Sequence, residues 1–290
     1  MDQFVQLTVT GLANGAILAL AALGFVLIYK ASGVINFAQG EFLLIGAYVI
    51  YAVIAQVGLH YSAGIAAAVV VAIALGVAVE RLILRPLVGQ PTISVIMVTI
   101  GLAQLLRSVI QIFFGTNPRS FPEFIPGGTL DVAGATVPVD RLWGIGLAAL
   151  TLAAFTVFFQ RSRDGIAMRA VADDQQAALT MGISVRRVFA LSWALAGISA
   201  VIGGMLVANI TGVSGAITGF GLTVFPVVIL GGLDSIAGAM IGGAVIGLLT
   251  TYTGGYIGGG LQTVVPYLAL VLILLVRPYG LFGQVRIERV

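Results

Sequence analysis

Long apolar runs separated by short charged stretches constrain the fold of this chain more than any other feature of its sequence. A helix that crosses a bilayer needs about 20 mostly apolar residues, and the chain has a series of runs near or above that length. They are Val5–Tyr29, Phe42–Val57, Ser62–Val79, Ile93–Phe114, Leu142–Phe159, Val188–Ile210 and Leu261–Val276. This pattern predicts a polytopic membrane protein of the all-α class.

The segment Leu222–Thr253 is harder to divide into helices. It contains Pro226, then the glycine-rich stretch 231–235, then another apolar run. Because proline and paired glycines interrupt helices, we expect two elements joined at a break. The sequence therefore predicts about eight or nine transmembrane helices, some of them discontinuous, in a single transmembrane domain over residues 1–290.

The composition excludes several classes of protein. Only 9% of the 290 residues are charged and 59% are hydrophobic, whereas a soluble domain carries roughly 25% charged residues. Cysteine is absent and His60 is the only histidine, which excludes disulfides, thiolate nucleophiles and Cys/His zinc sites. The only lysine, Lys30, follows Tyr29 and not a glycine, so the chain lacks the phosphate-binding loop of ATPases. We expect no enzyme, no metal or other cofactor in this chain, and no nucleic-acid partner.

The basic residues are distributed unequally between the two sides of the predicted spans. Arg119 and Arg141 fall in one loop, Arg107 falls inside a span, and all the others fall on the opposite side. Those others are Lys30, Arg81, Arg85, Arg161, Arg163, Arg169, Arg186, Arg187, Arg277, Arg286 and Arg289. By the positive-inside rule this larger group is cytoplasmic, which predicts an outer N-terminus, a cytoplasmic C-terminus and an odd number of crossings.

The loop 115–141, which this orientation places outside, contains four prolines and the pair Gly127-Gly128. Thr129–Val132 and Ala135–Val137 flank Gly134 and are typical of a short hairpin. The loop is interpreted either as a structured connector or as a docking surface for an external partner.

The segment 33–42 lies between two apolar runs and reads GVINFAQGEF. Asn36 is a natural N-cap, Gln39 could complete a capping box, and Glu41 would then lie in the first turn, where a carboxylate is favoured. One interpretation is a capped helix after a cytoplasmic turn. The other is a discontinuous helix that lines a translocation path, with Asn36, Phe37, Gln39 and Glu41 as its candidate residues.

Residues 231–238 resemble residues 33–40 at a constant offset, with Gly, Ile or Leu, Asn or Asp, and Gly in corresponding places. This similarity indicates an internal duplication with the path between its halves and adds Asp234 to the candidate path residues. The pairs Gly238/Gly242 and Gly243/Gly247 favour close helix packing. Arg107, in mid-span, is expected to snorkel or to pair with a carboxylate.

The loop 161–187 is the longest hydrophilic segment on the predicted cytoplasmic side. Ile166–Met181 consists almost entirely of good helix formers, Gly182 is placed as a C′ residue, and Ser184 can cap the next span. We expect one short helix, which is either an ordinary loop helix or one that inserts into a groove of another protein.

Three ordered motifs resemble those of a known family. Arg-Ala-x-Ala-Asp followed by Ala-Ala-Leu-x-x-Gly-Ile, in the loop 161–187, is similar to the coupling loop of ABC transporter permeases. The stretches 11–20 and 34–42 and the segment 231–239 resemble the LivH-type permease of branched-chain amino acid importers. The resemblance implies that a set of residues in the loop contacts ATPase subunits: Gly165, Arg169, Ala170, Asp173, Ala177, Ala178 and Gly182.

The resemblance also implies an assembly in the cell inner membrane. This chain would form half of the translocation pathway, and a LivM-type permease would form the other half, surrounded by membrane lipid. Two ATP-binding cassette subunits would bind ATP, and a periplasmic or lipid-anchored binding protein would deliver the substrate. Aliphatic amino acids, urea or short amides, and aromatic acids stay open as cargo. The alternatives are an ion-coupled secondary transporter of a small polar solute, whose broken helices would look alike, and an intramembrane enzyme.

Overall fold

The computed structural model describes residues 2–87, 90–122, 125, 127–132, 135–258 and 260–283. Its secondary structure is almost entirely helical. The helices are α1 (Asp2–Ser32), α2 (Gln39–Tyr51), α3 (Tyr61–Val79), α4 (Thr92–Phe114), α5 (Val139–Arg161), α6 (Arg163–Asp173), α7 (Gln175–Thr180), α8 (Val185–Thr211), α9 (Ile217–Gly231), α10 (Ile236–Tyr256) and α11 (Val265–Val276). Single π-helical turns extend α2 over Ala52–Gln56 and α3 over Glu80–Leu84.

The helix lengths confirm a polytopic all-α membrane protein. Within the described residues, seven helices are long and apolar enough to cross a membrane, namely α1, α2 with its π turn, α3, α4, α5, α8 and α10. The apolar α9 and α11 are shorter, so the number eight or nine stays a prediction. The predicted Leu261–Val276 is one of these shorter apolar helices, in which a 3-10 turn at Leu261–Thr263 leads into the 12 residues of α11.

Helix α1 lies at the centre of the bundle and contacts α5, α8, α9 and α10. Glycines make its contact with α10 unusually close. A Cβ atom added at Gly15 would lie 2.5 Å from the carbonyl oxygen of Gly243, and one added at Gly243 would lie 2.5 Å from that of Gly15. The glycines at the α1–α10 contact therefore serve helix packing, as the small-residue spacing of α10 predicts.

The predicted hairpin in the loop 115–141 is confirmed. Strands β1 (Thr129–Val132) and β2 (Ala135–Pro138) pair antiparallel, and Gly134, expected in the turn, lies outside the described residues. Backbone hydrogen bonds in both directions join Arg119 to Val213, after α8, at 2.9 and 2.8 Å. The described residues of the loop are thus structured and bonded to the bundle, and a docking role for an external partner stays a hypothesis.

The two ends of the bundle differ in charge, as the sequence predicts. Arg119 and Arg141 lie at one end, the hairpin end, where Arg141 Nη1 donates to Asn14 Oδ1 at 3.1 Å. Lys30, at the end of α1, lies at the other, basic end, where it shares a cavity with Arg169. Helix α1 starts at the hairpin end and α11 ends at the basic end. Arg286 and Arg289 lie outside the described residues.

Candidate functional site

Helix α2 begins inside the bundle and not at its surface. The Nε2 atom of Gln39, its first residue, lies 3.5 Å from the carbonyl oxygen of Ala196 in α8, and the Gln39 side chain contacts Gly24 of α1. Gly24 precedes the end of α1 at Ser32 by eight residues, which is about 12 Å along the helix axis. The α1–α2 junction (residues 33–41) therefore re-enters the membrane-spanning body, and α2 is a discontinuous helix.

The predicted capping box at Asn36 is wrong. The N-cap residue of α2 is Ala38, which makes no side-chain cap. Asn36 Oδ1 accepts a hydrogen bond from the backbone N–H of Ala38 at 3.0 Å, and Asn36 Nδ2 donates to Gln39 Oε1 at 3.3 Å. Asn36 thus forms a local turn that begins three residues before the helix, an arrangement that asparagine side chains favour and that competes with helix capping. Both side chains are fully buried.

Glu41 lies in the first turn of α2, as predicted, and Arg107 of α4 is its partner. Arg107 Nη2 donates to Glu41 Oε1 at 2.6 Å. The Glu41 side chain is 3% exposed and that of Arg107 is 37% exposed. Of the two roles expected for Arg107, pairing with a carboxylate is confirmed.

The starting ends of α2 and α9 meet at this junction. A Cβ atom added at Gly40 would lie 2.5 Å from the carbonyl oxygen of Thr218, the second residue of α9. Phe37 packs on Phe225 of α9 with 4.8 Å between ring centroids. The first turns of two helices, each at the positive end of its helix dipole, thus lie side by side within the bundle.

Asp234 is not part of this cluster. It lies between α9 and α10 at the basic end and lines a cavity of about 340 Å³ with Lys30, Asp173 and Tyr279. The break that contains it resembles the α1–α2 junction in having a glycine with positive φ, Gly232 at +107°. The next helix, α10, is capped by the Ser235 side chain, which accepts from Gly238 N at 3.0 Å, so the two breaks are built differently. The internal duplication stays a prediction.

The loop 161–187 contains two helices, and the single helix predicted over 166–181 is wrong. Helices α6 and α7 are separated at Asp174, whose backbone is extended. Asp174 Oδ1 accepts from the backbone N–H groups of Gln176 at 2.8 Å and Ala177 at 2.9 Å. Aspartate favours such a cap over a helix interior. Gly182, with φ +80°, and the cap Ser184, which accepts from Arg187 N, confirm the predicted end of the segment.

The residues predicted to contact ATPase subunits fall into two groups. Arg169, Asp173, Ala177 and Gly182 are exposed and Ala170 is half-buried, whereas Gly165 and Ala178 are buried. A Cβ atom added at Gly165 would lie 2.5 Å from the carbonyl oxygen of Phe158, so Gly165 packs α6 on α5. The buried pair packs α6 and α7 against the rest of the protein, and the exposed group is accessible to solvent or to another protein.

Two exposed apolar residues at the end of α7 were not among the predicted site residues. Leu179 is 58% exposed and Met181 is 81% exposed. They belong to the hydrophilic loop 161–187 and not to a span. Two large apolar residues in a polar loop are the sequence feature that could have identified them as candidates.

The described residues offer no evident set of ligands for a metal ion. No group of three or more His, Cys, Asp or Glu side chains that could hold a metal occurs among the residues that the structure describes.

Comparison with known proteins adds an independent observation. A family model described as the permease component of the branched-chain amino acid transport system matches residues 7–275. The high-affinity branched-chain amino acid transport system permease protein LivH of Escherichia coli K12 is 32% identical, over 99% of this chain and 98% of that protein. The corresponding protein BraD of Pseudomonas aeruginosa is 30% identical over the same shares of both chains.

A third relative is more distant. The probable branched-chain amino acid transport permease protein LivH of Methanocaldococcus jannaschii is 28% identical over 92% of this chain and 89% of that protein. No solved structure matches. The match of the family model and of full-length relatives shows that this chain, a multi-pass membrane permease and not an enzyme, belongs to the permease component family of branched-chain amino acid transport systems.

Proposed function

We propose that this permease is a membrane subunit of an ABC importer and forms half of the translocation pathway for branched-chain or related amino acids. The names of its relatives support the substrate class. The observation that carries the ABC assignment is the exposed apolar pair Leu179 and Met181. An apolar anchor on a polar connector suits insertion into a groove of another protein, and a secondary transporter does not need one.

The proposed partners follow from the missing phosphate-binding loop and from the exposed surface of α6 and α7. Without a phosphate-binding loop, it depends on two ATP-binding cassette subunits, which dock on α6 and α7 at the basic end. A second, LivM-type permease completes the pathway, and a periplasmic or lipid-anchored binding protein delivers the amino acid. The basic end is cytoplasmic and the hairpin end is outside, so the N-terminus is outside and the C-terminus inside the cell inner membrane.

A continuous set of contacts can carry a movement of α7 into the bundle. The backbone N–H of Ile183 donates to the carbonyl of the buried Ala178 at 2.9 Å, which closes the C-terminus of α7 two residues before α8 begins. Further along α8, the ring of Trp193 lies 6.2 Å from that of Phe42 in α2. Closure of the ATPase subunits would displace α6 and α7, and α8 would transmit the movement to the start of α2.

The α1–α2 junction is the element that such a movement would rearrange. Asn36, Phe37, Gln39 and Glu41 are proposed as path residues in this sense, because they shape the place where α2 and α9 begin. Asp234 is proposed at the cytoplasmic mouth, where it shares a cavity with Lys30. Both proposals place the moving parts of the path beside glycine-containing breaks, where the backbone leaves the helical conformation.

Docking is tested with the complete transporter, co-expressed with its ATPase subunits. Leu179→Asp and Met181→Asp should each lower ATPase co-purification by about tenfold or more, as expected for loss of an apolar interface anchor, and should abolish leucine uptake. Arg169→Glu and Ala170→Glu should also lower ATPase co-purification and leucine uptake. Leu130→Asp is the matched control, because Leu130 is 52% exposed at the hairpin end.

Two results would refute the proposal. One is unchanged ATPase co-purification in both aspartate variants at wild-type expression. The other is transport of leucine by the purified chain alone, in liposomes, along a proton or sodium gradient. The second result would establish the ion-coupled alternative.

A further inference from the structure

Helix α4 carries a row of polar side chains on the face that it turns away from the bundle. Gln104, Ser108 and Gln111 are all exposed, and their spacing of four and three residues places them on one face of a helix. The row extends from residue 104 to residue 111, about 10 Å along the axis, within the 23-residue apolar helix. It lies beside Arg107, at the depth of the buried Glu41.

The orientation of the row is determined by contacts on the other faces of α4. The buried Thr99 donates to the carbonyl of Ile35, in the α1–α2 junction, at 3.3 Å. Arg107, just over two turns further along α4, pairs with Glu41. A rotation of α4 that moved the polar row inward would break both contacts. These contacts therefore fix the orientation in which the row faces outward.

A lipid-facing position does not suit this row. Polar side chains within membrane spans face the bundle interior, a partner or water, because hydrocarbon offers them no hydrogen bonds. A dry contact with another permease, across which serine and glutamine side chains can hydrogen-bond, is the next possibility, but the closest helix contacts in membranes favour small residues. Two of the three side chains here are long amides, and the bulky Leu105 and Ile112 lie next to them on the exposed surface.

We propose that Gln104, Ser108 and Gln111 line the water-filled path along which the amino acid crosses the membrane; this inference rests on the proposed function. Amide groups both donate and accept hydrogen bonds, so they can replace water at the ammonium and the carboxylate of a zwitterion. The side chain of Arg107 is partly exposed next to the row, and Glu41 balances its charge. The surface therefore offers hydrogen bonds without a net charge that would retain the amino acid.

The absence of cysteine from the chain makes a direct test possible. Single variants Gln104→Cys, Ser108→Cys and Gln111→Cys are made in the complete transporter, with Leu105→Cys and Ile112→Cys as matched controls on the same helix. Each complex, in membrane vesicles, is treated with a membrane-impermeant trimethylammonium methanethiosulfonate, and the label on this chain is measured after separation. The three row positions should react at least about tenfold faster than the controls, because only thiols in water ionise to the reactive thiolate.

Leucine, supplied with the binding protein and ATP, should slow labelling at the row positions. Row positions as unreactive as the controls would overturn the proposal. So would a row that reacts only by forming disulfides with single cysteines on the second permease, since that result indicates a dry interface. If the row reacts but the wild-type complex does not take up leucine, the proposed function fails while the aqueous lining stands.

Discussion

Arg107 Nη2 of α4 lies 2.6 Å from Glu41 Oε1 in the first turn of α2, and this ion pair joins residues 66 positions apart. The carboxylate is almost completely buried, whereas the guanidinium also reaches the outer surface of α4. The pair therefore links the buried α1–α2 junction to the exposed polar row. It is the most direct contact between the two parts of the proposed path.

Replacing Glu41 by Gln should destabilise the protein. The change leaves the Arg107 charge without a partner inside the membrane span. We expect the free energy of unfolding to fall by about 3 kcal/mol, the low end of the cost of removing one partner of a buried ion pair, since Arg107 is partly exposed. Thermal unfolding of the purified protein in detergent measures the effect. In the double variant Glu41→Gln/Arg107→Gln the loss should be smaller than the sum of the two single losses; additive losses would contradict this role of the pair.

Replacing Gly15 by Ala should force α1 and α10 apart. The new Cβ atom would lie 2.5 Å from the backbone carbonyl oxygen of Gly243, and such overpacking costs about 1–3 kcal/mol. Gly146→Ala is the control, because a Cβ atom there meets nothing within 4 Å in α5. That change should stabilise the helix by up to about 1 kcal/mol. The two variants should therefore shift the thermal unfolding midpoint in opposite directions, and shifts of the same sign would refute the close contact.

Replacing Asn36 by Ala should loosen the α1–α2 junction. The change removes the acceptor of Ala38 N and the donor to Gln39 Oε1, and each buried polar group left without a partner costs about 1–3 kcal/mol. The expected result is a lower unfolding midpoint together with reduced leucine uptake. Gln6→Ala, an exposed amide on α1, should change stability by less than about 0.5 kcal/mol. An Asn36→Ala variant as stable as Gln6→Ala would show that the junction does not depend on these bonds.

Replacing Asp174 by Ala should destabilise α7 locally. Loss of an N-cap costs about 0.5–2 kcal/mol, and here two backbone N–H groups lose their acceptor. Faster amide hydrogen exchange over 175–180 would report the change, and ATPase co-purification should weaken with it. Asp174→Asn retains the acceptor oxygen and should exchange almost as slowly as the wild type. Equal exchange in the Ala and Asn variants would mean that the cap does not hold α7.

Local signals predicted those parts of the structure that depend on local physics. The apolar runs indicated the spans, Gly182 adopts the positive φ expected after a helix, and the hairpin forms where its two β-prone stretches predicted it. The errors arose where two local solutions compete. Asn36 makes a turn and not a cap, and Asp174 ends one helix by capping the next, since the same side chains can serve either role.

The sequence by itself determined that this chain is a helical membrane protein with a basic end, broken helices and no ATP-binding loop of its own. Only the tertiary structure decided which helices are in contact, which carboxylate pairs with Arg107 and which way the polar row of α4 faces. The reason is physical. In a membrane the lipid and the protein interior are both apolar, so hydrophobic periodicity does not distinguish the buried face of a span from its outer face. Direct backbone contacts such as Gly15 with Gly243 and polar contacts such as Glu41 with Arg107 make that distinction, and both join residues far apart in the chain.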